Sequence, residues 1–218
     1  MRDGRLASCE ARIIGFQDQA IITVRGVGDW RRRRFSIAHE LGHWHYHRGR
    51  SSLCRPSEIG NPASNNSVER QADNYAADLL MPSYIFKELM GHSSPCSFEI
   101  IDDLSEQFST SRVATALRYV YLTQLPCILI CHDAKGRRWF QRSRMASDRW
   151  FPRSELDANS HALEVLLKRT RQNRPLKIGA QAWFDRRDAE RHYVFEHSRA
   201  SFGDEILTLV TLSSDMAA

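Results

Sequence analysis

The segment His39-Glu40-Leu41-Gly42-His43 constrains the local structure of this chain more than any other part of the sequence. It lies in an apolar-periodic stretch, residues 35–47, followed by Gly49, and this pattern predicts a helix with a glycine stop. Side chains four residues apart on a helix stand one above the other, so both imidazoles can reach one zinc ion. Glu40 projects beside them, where it can accept a proton from water at the metal. The segment therefore predicts a metal site that a second element of the fold must complete.

A third ligand distinguishes this interpretation from a solvated helix that carries two histidines without a metal. Catalytic zinc usually takes three protein ligands and keeps one position open. One candidate for the third ligand is a histidine six residues after the second one, as in metzincins. Position 49 is Gly49, so this class of zinc site is excluded. His47 continues the series of four, but about 12 Å of helix separates it from His39, too far to share one ion. We interpret His47 as a residue near the site that contacts substrate or product, or as a surface residue.

Glu69 and Asp73 on the next predicted helix supply the missing groups. That helix is expected from about residue 68 to 81, with Asn66 and Glu69 as a capping-box start. Glu69 and Asp73 share one face, so Glu69 can bind the metal while Asp73 accepts a hydrogen bond from the far nitrogen of a ligand histidine. The alternative for both carboxylates is an acidic helix N-terminus that interacts favourably with the helix dipole. Beside the paired histidines we prefer the metal-site interpretation.

The first part of the chain is mainly helical. Residues 11–25 contain two short β-type runs around a turn, which predicts a hairpin. Residues 51–66 are rich in Ser, Asn, Pro and Gly and predict a loop. Beyond the two helices of the predicted site, three shorter helices are expected up to residue 122. We therefore expect residues 1–124 to form a mainly helical unit that includes a small β-hairpin.

The sequence changes in character after Pro126. Two β-type runs flank Asp133-Ala134-Lys135-Gly136, which predicts a hairpin. A helix at residues 160–171 and three further strands, the first at residues 176–184, complete the pattern. The expected fold class is α+β, with an antiparallel α+β domain at residues 125–218.

The composition argues against a secreted or membrane-spanning protein. No apolar run approaches the roughly 18–20 residues that cross a bilayer, and no apolar signal region follows the first residues. The chain has five cysteines, none in a Cys-x-x-Cys pair, which favours reduced thiols over a disulfide framework. We expect a cytoplasmic protein without membrane contact.

Two blocks of sequence together resemble the ImmA/IrrE family of metallopeptidases. The first block runs from Arg34 to His43, and the second runs from Glu69 to Pro82. The resemblance covers about residues 20–122, and residues 126–218 are similar to the GAF-like sensor domain that follows the peptidase in some members.

The resemblance implies a zincin-like, gluzincin-type fold with His39, His43 and Glu69 as zinc ligands and Glu40 as the base. It further implies an intracellular zinc endopeptidase that cuts a helix-turn-helix transcriptional repressor in response to DNA damage or mobile-element signals. Mn²⁺ or Fe²⁺ could occupy the same ligands. The alternative function, from another class, is a non-catalytic metal-binding sensor or a DNA-contacting regulator.

Two features depart from the family pattern. Family members usually have a longer segment before the zinc helix, whereas only 38 residues precede His39. We interpret the chain as N-terminally abbreviated or as starting from an internal methionine. The position usually held by Phe in the second block is Tyr75, which we interpret as a core residue or as an oxyanion donor.

Direct contact with DNA is the weaker of the partner predictions. Residues 104–117 fit a helix-turn-helix spacing, but the second helix offers only Arg112 and Arg118 as basic side chains. The cluster Arg31–Arg34 predicts either docking of an acidic partner or DNA backbone, or a solvated loop. Residues 135–153 interleave arginines with aromatic residues, which suits nucleic acid. An amphipathic hairpin with aromatic residues inward and arginines outward gives the same pattern, and we prefer it.

Overall fold

The computed structural model describes residues 11–16, 18–26, 28–48, 52–54, 59–60, 66–91, 94–168 and 174–217. Within these ranges the predicted α+β class is confirmed. The strands are β1 Ala11–Phe16, β2 Gln19–Val24, β3 Ser52–Cys54, β4 Cys127–Asp133, β5 Gly136–Arg142, β6 Leu176–Gly179, β7 Tyr193–Ala200 and β8 Ile206–Leu212. The helices are α1 Trp30–Tyr46, α2 Ser67–Leu80, α3 Ser83–Met90, α4 Phe98–Phe108, α5 Arg112–Leu122 and α6 His161–Leu166.

The chain divides into two compact units. The N-terminal unit comprises the residues up to 86 together with 105–114, and the C-terminal unit comprises 87–104 together with the residues from 115 onward. The domain boundary at residues 124/125 and the GAF-like character of the second domain stay predictions. None of the helices in the described ranges has the length and apolar character that a bilayer-spanning segment needs.

β1 is the central strand of the sheet in the N-terminal unit. The sheet has the order β2-β1-β3 with antiparallel pairing, and the predicted hairpin places Ile13 opposite Ile22. The prediction of a loop throughout residues 51–66 is wrong at Ser52–Cys54, which forms β3 and pairs with β1. A strand of three residues is too short for a periodic pattern, and it is stabilised by pairing with a distant part of the chain.

α1 begins five residues earlier than the apolar pattern predicts, at Trp30 instead of residue 35. The Asp29 side chain accepts a hydrogen bond from the backbone N–H of Arg31 at 2.9 Å and so caps the helix. The following arginines lack apolar periodicity, but arginine has a high helix propensity. The first turn of α1 is therefore stabilised by capping and propensity.

Several of the arginines at the start of α1 bind within their own unit, and Arg33 donates to the Gly26 carbonyl at 3.1 Å. The Arg31 guanidinium pairs with Glu106 at 2.6 Å. Arg34 donates hydrogen bonds to the carbonyl oxygens of Phe108 at 3.1 Å and Ser109 at 2.7 Å, at the C-terminus of α4. Carbonyls at a helix end have no partner within the helix, and an arginine fork can satisfy them. These side chains fix the start of α1, so a structural role accounts for them.

The C-terminal unit is built on a five-stranded antiparallel sheet of order β5-β4-β8-β7-β6. The predicted β4–β5 hairpin is formed, with Asp133 opposite Gly136. Buried apolar side chains of β4, β7 and β8 pack with those of α6 and the connecting loops, and Trp150, Trp183 and Phe184 are the largest members of this core. The core thus lies on the face of the sheet that α6 and the loops cover.

Two element predictions in this unit are too long. The helix expected at residues 160–171 ends as α6 at Leu166, and Lys168 beyond it has a φ of +58°, which does not continue a right-handed helix. Residues 169–171 of this prediction lie outside the described ranges. The strand expected at residues 176–184 ends at Gly179, where a 3₁₀ turn, Ala180–Ala182, follows. Trp183 after this turn donates from Nε1 to the buried Glu196 at 2.6 Å. This tertiary hydrogen bond has no signal in the local sequence.

We expect the C-terminal unit to be sensitive to acid through His132 on β4. The side chain is 0% exposed, its ring lies 5.9 Å from that of Trp183, and burial lowers its pKa from 6.5 to about 4. Between these values the unfolded chain binds more protons than the folded chain, so the stabilisation present above pH 6.5 is lost as the pH falls towards 4. Between about pH 7 and pH 4.5 the wild type should lose about 2 kcal/mol more unfolding free energy than His132→Leu in urea titrations. Parallel pH profiles of the two proteins would contradict this.

Candidate metal centre

α1 carries the predicted site on its buried side. The side chains of His39 and Glu40 are 0% exposed and that of His43 is 3% exposed. Their burial does not fit a solvated helix with two accidental histidines. It places three polar groups where water is excluded, and buried polar groups need partners from other elements.

The close approach of α1 to α2 brings these partners to the site. A Cβ atom at Gly42 would lie 2.9 Å from the Ala72 Cα atom and 3.0 Å from the Ala72 carbonyl oxygen, too close for any other residue. Glycine therefore lets the two helix backbones meet at this point. Glu69 lies one turn before Ala72 on α2 and is buried.

The three predicted ligand atoms converge. His43 Nε2 lies 3.0 Å from His39 Nε2, and His39 Nε2 lies 3.1 Å from Glu69 Oε2. The distance from His43 Nε2 to the same carboxylate oxygen is 3.5 Å. The three residues form a group that could hold a metal ion. Side chains of α1 and α2, two helices that are separated by about 20 residues of sequence, thus meet at one point.

Asp73 supports the site as the spacing predicts. Its Oδ1 atom lies 2.8 Å from His39 Nδ1, and its carboxylate also accepts hydrogen bonds from the backbone N–H of Gly60, at 2.9 and 3.0 Å. A carboxylate only accepts, so Nδ1 of His39 carries the proton in this contact. The lone pair of His39 is then on Nε2, the atom that faces His43 and Glu69.

The donor set fits a divalent cation. Ligand atoms of a tetrahedral site with bonds of about 2.0–2.1 Å are separated by roughly 3.3–3.4 Å. The observed separations of 3.0, 3.1 and 3.5 Å bracket this value. One proton can bridge only one of the three contacts, whereas one cation can be bound by all three atoms. The Glu69 carboxylate also supplies negative charge, which favours a divalent cation over a neutral group at this point.

The other predicted site residues lie on α1, at its C-cap and on α2. Glu40 is adjacent in sequence to His39 and is fully buried. The His47 ring centroid lies 5.7 Å from that of His43. Tyr75 is half-buried and stacks on His45 with centroids 5.3 Å apart. The contact of Tyr75 is thus with the aromatic C-terminal turn of α1. The roles of Glu40, His47 and Tyr75 in chemistry stay predictions.

Two contributors to the site have no clear signal in the sequence. Gly42 sets the distance between the helices, but a glycine inside a helix usually indicates only a weak helix position. Gly60 orients Asp73 through its backbone N–H, which any residue other than proline also provides. The sequence therefore predicts the ligands better than it predicts what positions them.

Replacement of Gly42 by Ala should loosen the metal centre. The new methyl group meets backbone atoms of Ala72, so the helices must separate. We expect the free energy of unfolding to fall by about 1–3 kcal/mol despite the better helix propensity of alanine. Affinity for Co²⁺, followed by its absorption spectrum, should fall at least about tenfold because ligand positioning is lost.

The exposed neighbour Leu41 provides a matched control. Leu41→Ala changes an exposed position of the same helix and should leave Co²⁺ affinity near the wild-type value. Ala72→Gly combined with Gly42→Ala should not restore affinity, because the clash involves the Ala72 backbone. Wild-type Co²⁺ binding by Gly42→Ala would show that the close approach of the helices is not what positions the ligands.

One comparison with known proteins covers the part of the chain that carries this centre, and another covers nearly the whole chain. Residues 17–119 match the family model of the IrrE N-terminal-like domain, Peptidase_M78. Among solved structures, the chain is similar to a Mycobacterium tuberculosis transcriptional regulator, with a TM-score of 0.56 and 14% sequence identity. The match covers 98% of this chain and 65% of that chain, and at this identity it concerns the fold alone. No curated protein matches the sequence.

Proposed function

Because residues 17–119 belong to the family of IrrE N-terminal-like domains, Peptidase_M78, we propose that the protein is an intracellular zinc endopeptidase that cleaves a helix-turn-helix transcriptional repressor. The family confirms the resemblance to the ImmA/IrrE metallopeptidases that the two sequence blocks indicate. In this proposal cleavage relieves repression in a stress or mobile-element response. The cytoplasm is the compartment in which such a repressor is found.

The convergence of His39, His43 and Glu69 is the observation that carries the proposal. Two imidazole nitrogens and one carboxylate oxygen lie within 3.5 Å of one another. This set of three is the ligand type of catalytic zinc, which keeps a further position for water or substrate. Mn²⁺ and Fe²⁺ accept the same donors, so metal analysis of the purified protein is part of the test.

A zinc ion bound by these residues supplies Lewis acidity, which lowers the pKa of water towards neutrality and polarises a peptide carbonyl. The residues of the chain do the remaining work. His39 is held in one tautomer and orientation by Asp73, whose own carboxylate is fixed by the Gly60 N–H. Glu69 contributes the carboxylate charge that the site needs for a divalent cation.

Glu40 is the proposed general base. It accepts a proton from the attacking water and returns it to the nitrogen of the scissile peptide bond as the amine leaves. Its burial beside the ligand histidines excludes bulk water, which otherwise competes for the same proton. His47 is proposed to contact the substrate or the developing oxyanion. Tyr75 is a second candidate for this contact, but its aromatic contacts favour a packing role for it.

The proposed substrate rests on the resemblance to the ImmA/IrrE family alone. That resemblance implies a transcriptional repressor as substrate. A non-catalytic regulator that keeps the metal site is the second candidate, and the name of the similar solved structure favours it. A complete set of three ligands together with a buried Glu40 favours the enzyme.

Incubation of the metal-loaded chain with a purified helix-turn-helix repressor from the same genome, taken first from the neighbouring reading frames, tests the proposal. Electrophoresis and mass spectrometry should show one or a few defined cuts in the repressor. Removal of the metal with a chelator should abolish the cuts, and added Zn²⁺ should restore them. An intact repressor after incubation with chain that contains Zn²⁺ or Mn²⁺ would favour the non-catalytic regulator.

A further inference from the structure

A cleft in the C-terminal unit is separate from the metal centre and has the chemistry of an anion-binding site. Its volume is about 520 Å³, within the usual size range of small-molecule sites. Three segments line it: the start of β5 at Arg137, residues 149 and 151–155, and residues 185–186. All three segments belong to the C-terminal unit, in the part that runs from residue 115 onward.

Backbone hydrogen bonds tie the three segments together. The N–H of Arg137 donates to the Ser154 carbonyl at 2.6 Å, and the N–H of Arg153 donates to the Trp183 carbonyl at 2.8 Å. Gly136 allows the first of these contacts, because a Cβ atom there would lie 2.8 Å from the Ser154 carbonyl oxygen. Gly136 also has a φ of +115°, which side chains disfavour. The walls of the cleft are therefore formed by the fold before any ligand binds.

Two of the four arginines in the cleft are held in place by one carboxylate. Arg149 donates to Asp188 at 2.6 Å, and Arg186 donates to the same carboxylate at 2.9 and 3.2 Å. Both guanidinium groups also lie over the ring of the buried Trp150, at 5.3 and 5.5 Å from its centroid. These contacts fix the two guanidinium groups, which lowers the entropy cost of binding a ligand.

Arg137 has a different environment. Its guanidinium lies 4.6 Å from the ring centroid of Phe151 and 5.1 Å from that of Phe140, and it donates to the Pro152 carbonyl. In the described ranges no carboxylate lies within ion-pair distance of it. Burial lowers the pKa of this guanidinium, although arginine stays charged in proteins. A partly desolvated cation without a carboxylate is stabilised by an anionic ligand.

The acidic residues at the cleft limit the kind of anion that fits. Glu155 and Asp185 also line it, and the Asp185 side chain is 93% exposed and 3.7 Å from Arg153. With Asp188, three carboxylates stand against four guanidinium groups, so the excess of positive charge is small and local. A long phosphate backbone would pass these rim carboxylates and be repelled, whereas a single phosphate group can be bound among the arginines.

We propose that this cleft binds a small phosphorylated ligand that carries a planar ring, of the size of a mononucleotide. The phosphate oxygens accept hydrogen bonds from Arg137 and Arg153, whose forked guanidinium groups match such oxyanions. Phe151 is 55% exposed at the cleft and offers its ring for stacking. The proposal does not depend on peptidase activity, and its test uses binding alone.

Calorimetric titration of the full-length chain with the four mononucleoside monophosphates AMP, GMP, CMP and UMP tests the proposal. At least one should bind more than about tenfold more tightly than inorganic phosphate, because both phosphate and ring make contacts. Arg153→Gln should weaken its binding about tenfold or more. Phe151→Ala should weaken nucleotide binding but leave the affinity for inorganic phosphate unchanged.

Arg187→Gln is the matched control, since Arg187 is exposed, adjacent to Arg186 and outside the cleft. It removes the same charge and should leave binding unchanged. Equal losses in Arg187→Gln and Arg153→Gln would overturn the proposal, because binding would then follow net charge alone. Failure of all four nucleotides to bind, or tight binding of a 12-nucleotide oligothymidylate alone, would overturn it as well.

Discussion

Glu69→Ala is expected to lose both bound zinc and repressor cleavage. The substitution removes the carboxylate from a site that has two neutral imidazoles as its other donors. Two imidazoles alone leave the charge of a divalent cation uncompensated inside the protein, which is costly in a low-dielectric interior. We expect zinc affinity to fall by more than about 100-fold, beyond the usual effect of losing a residue that only orients a ligand. Competition with a chromophoric chelator measures the affinity, and the cleavage assay measures the activity.

Asp78→Asn on the exposed side of the same helix is the control for this experiment. It changes the charge of α2 by the same amount, and its zinc content and activity should match those of the wild type. Circular dichroism should show that Glu69→Ala remains folded, since the side chain of Glu69 is not part of the apolar core. If Glu69→Ala kept full zinc content and activity, the assignment of Glu69 as a ligand would be wrong.

Local periodicity was sufficient to predict the parts of the site that lie on single helices. The spacing of four in His39/His43 and again in Glu69/Asp73 places each pair on one face, and the structure joins the two faces. The pairing of helices was predictable because chemistry supplied a constraint: two histidines need a third donor. The assignment of Asp73 to the far nitrogen of a ligand histidine followed from the same reasoning, and the structure places it at His39 Nδ1.

Elements determined by long-range contacts were not predictable in this way. β3 exists because β1 has a free edge to pair with, and the first turn of α1 depends on Asp29 and on arginine propensity. The strand that was expected to continue to residue 184 ends at Gly179, where the chain turns and Trp183 reaches the distant Glu196. The arginines of residues 135–153 illustrate the same point. Their aromatic partners follow from the sequence, but the cleft requires residues 185–186 from a distant segment.

Glu40→Gln is expected to abolish most cleavage while the metal remains bound. Glutamine has nearly the same shape as glutamate, so the packing of α1 around the fully buried position 40 should be kept. Its amide cannot accept a proton near neutral pH, and loss of a general base typically lowers the rate about 10²–10⁴-fold. His39, His43 and Glu69 are unchanged, so the zinc content should equal that of the wild type.

The combination of results for the two carboxylates separates the enzyme from a metal-binding regulator. A variant that lacks a base which does not bind the metal loses turnover alone. A variant that lacks a metal ligand loses turnover and metal together. Glu88→Gln, an exposed position on α3, controls for the change of charge and should cleave at the wild-type rate. If Glu40→Gln cleaved as fast as the wild type, Glu40 would be excluded as the base. If this variant lost zinc, Glu40 would instead be part of the structure that supports the ligands. Only zinc retention with loss of turnover assigns proton transfer to Glu40, because no structural role of this side chain predicts that pair of outcomes.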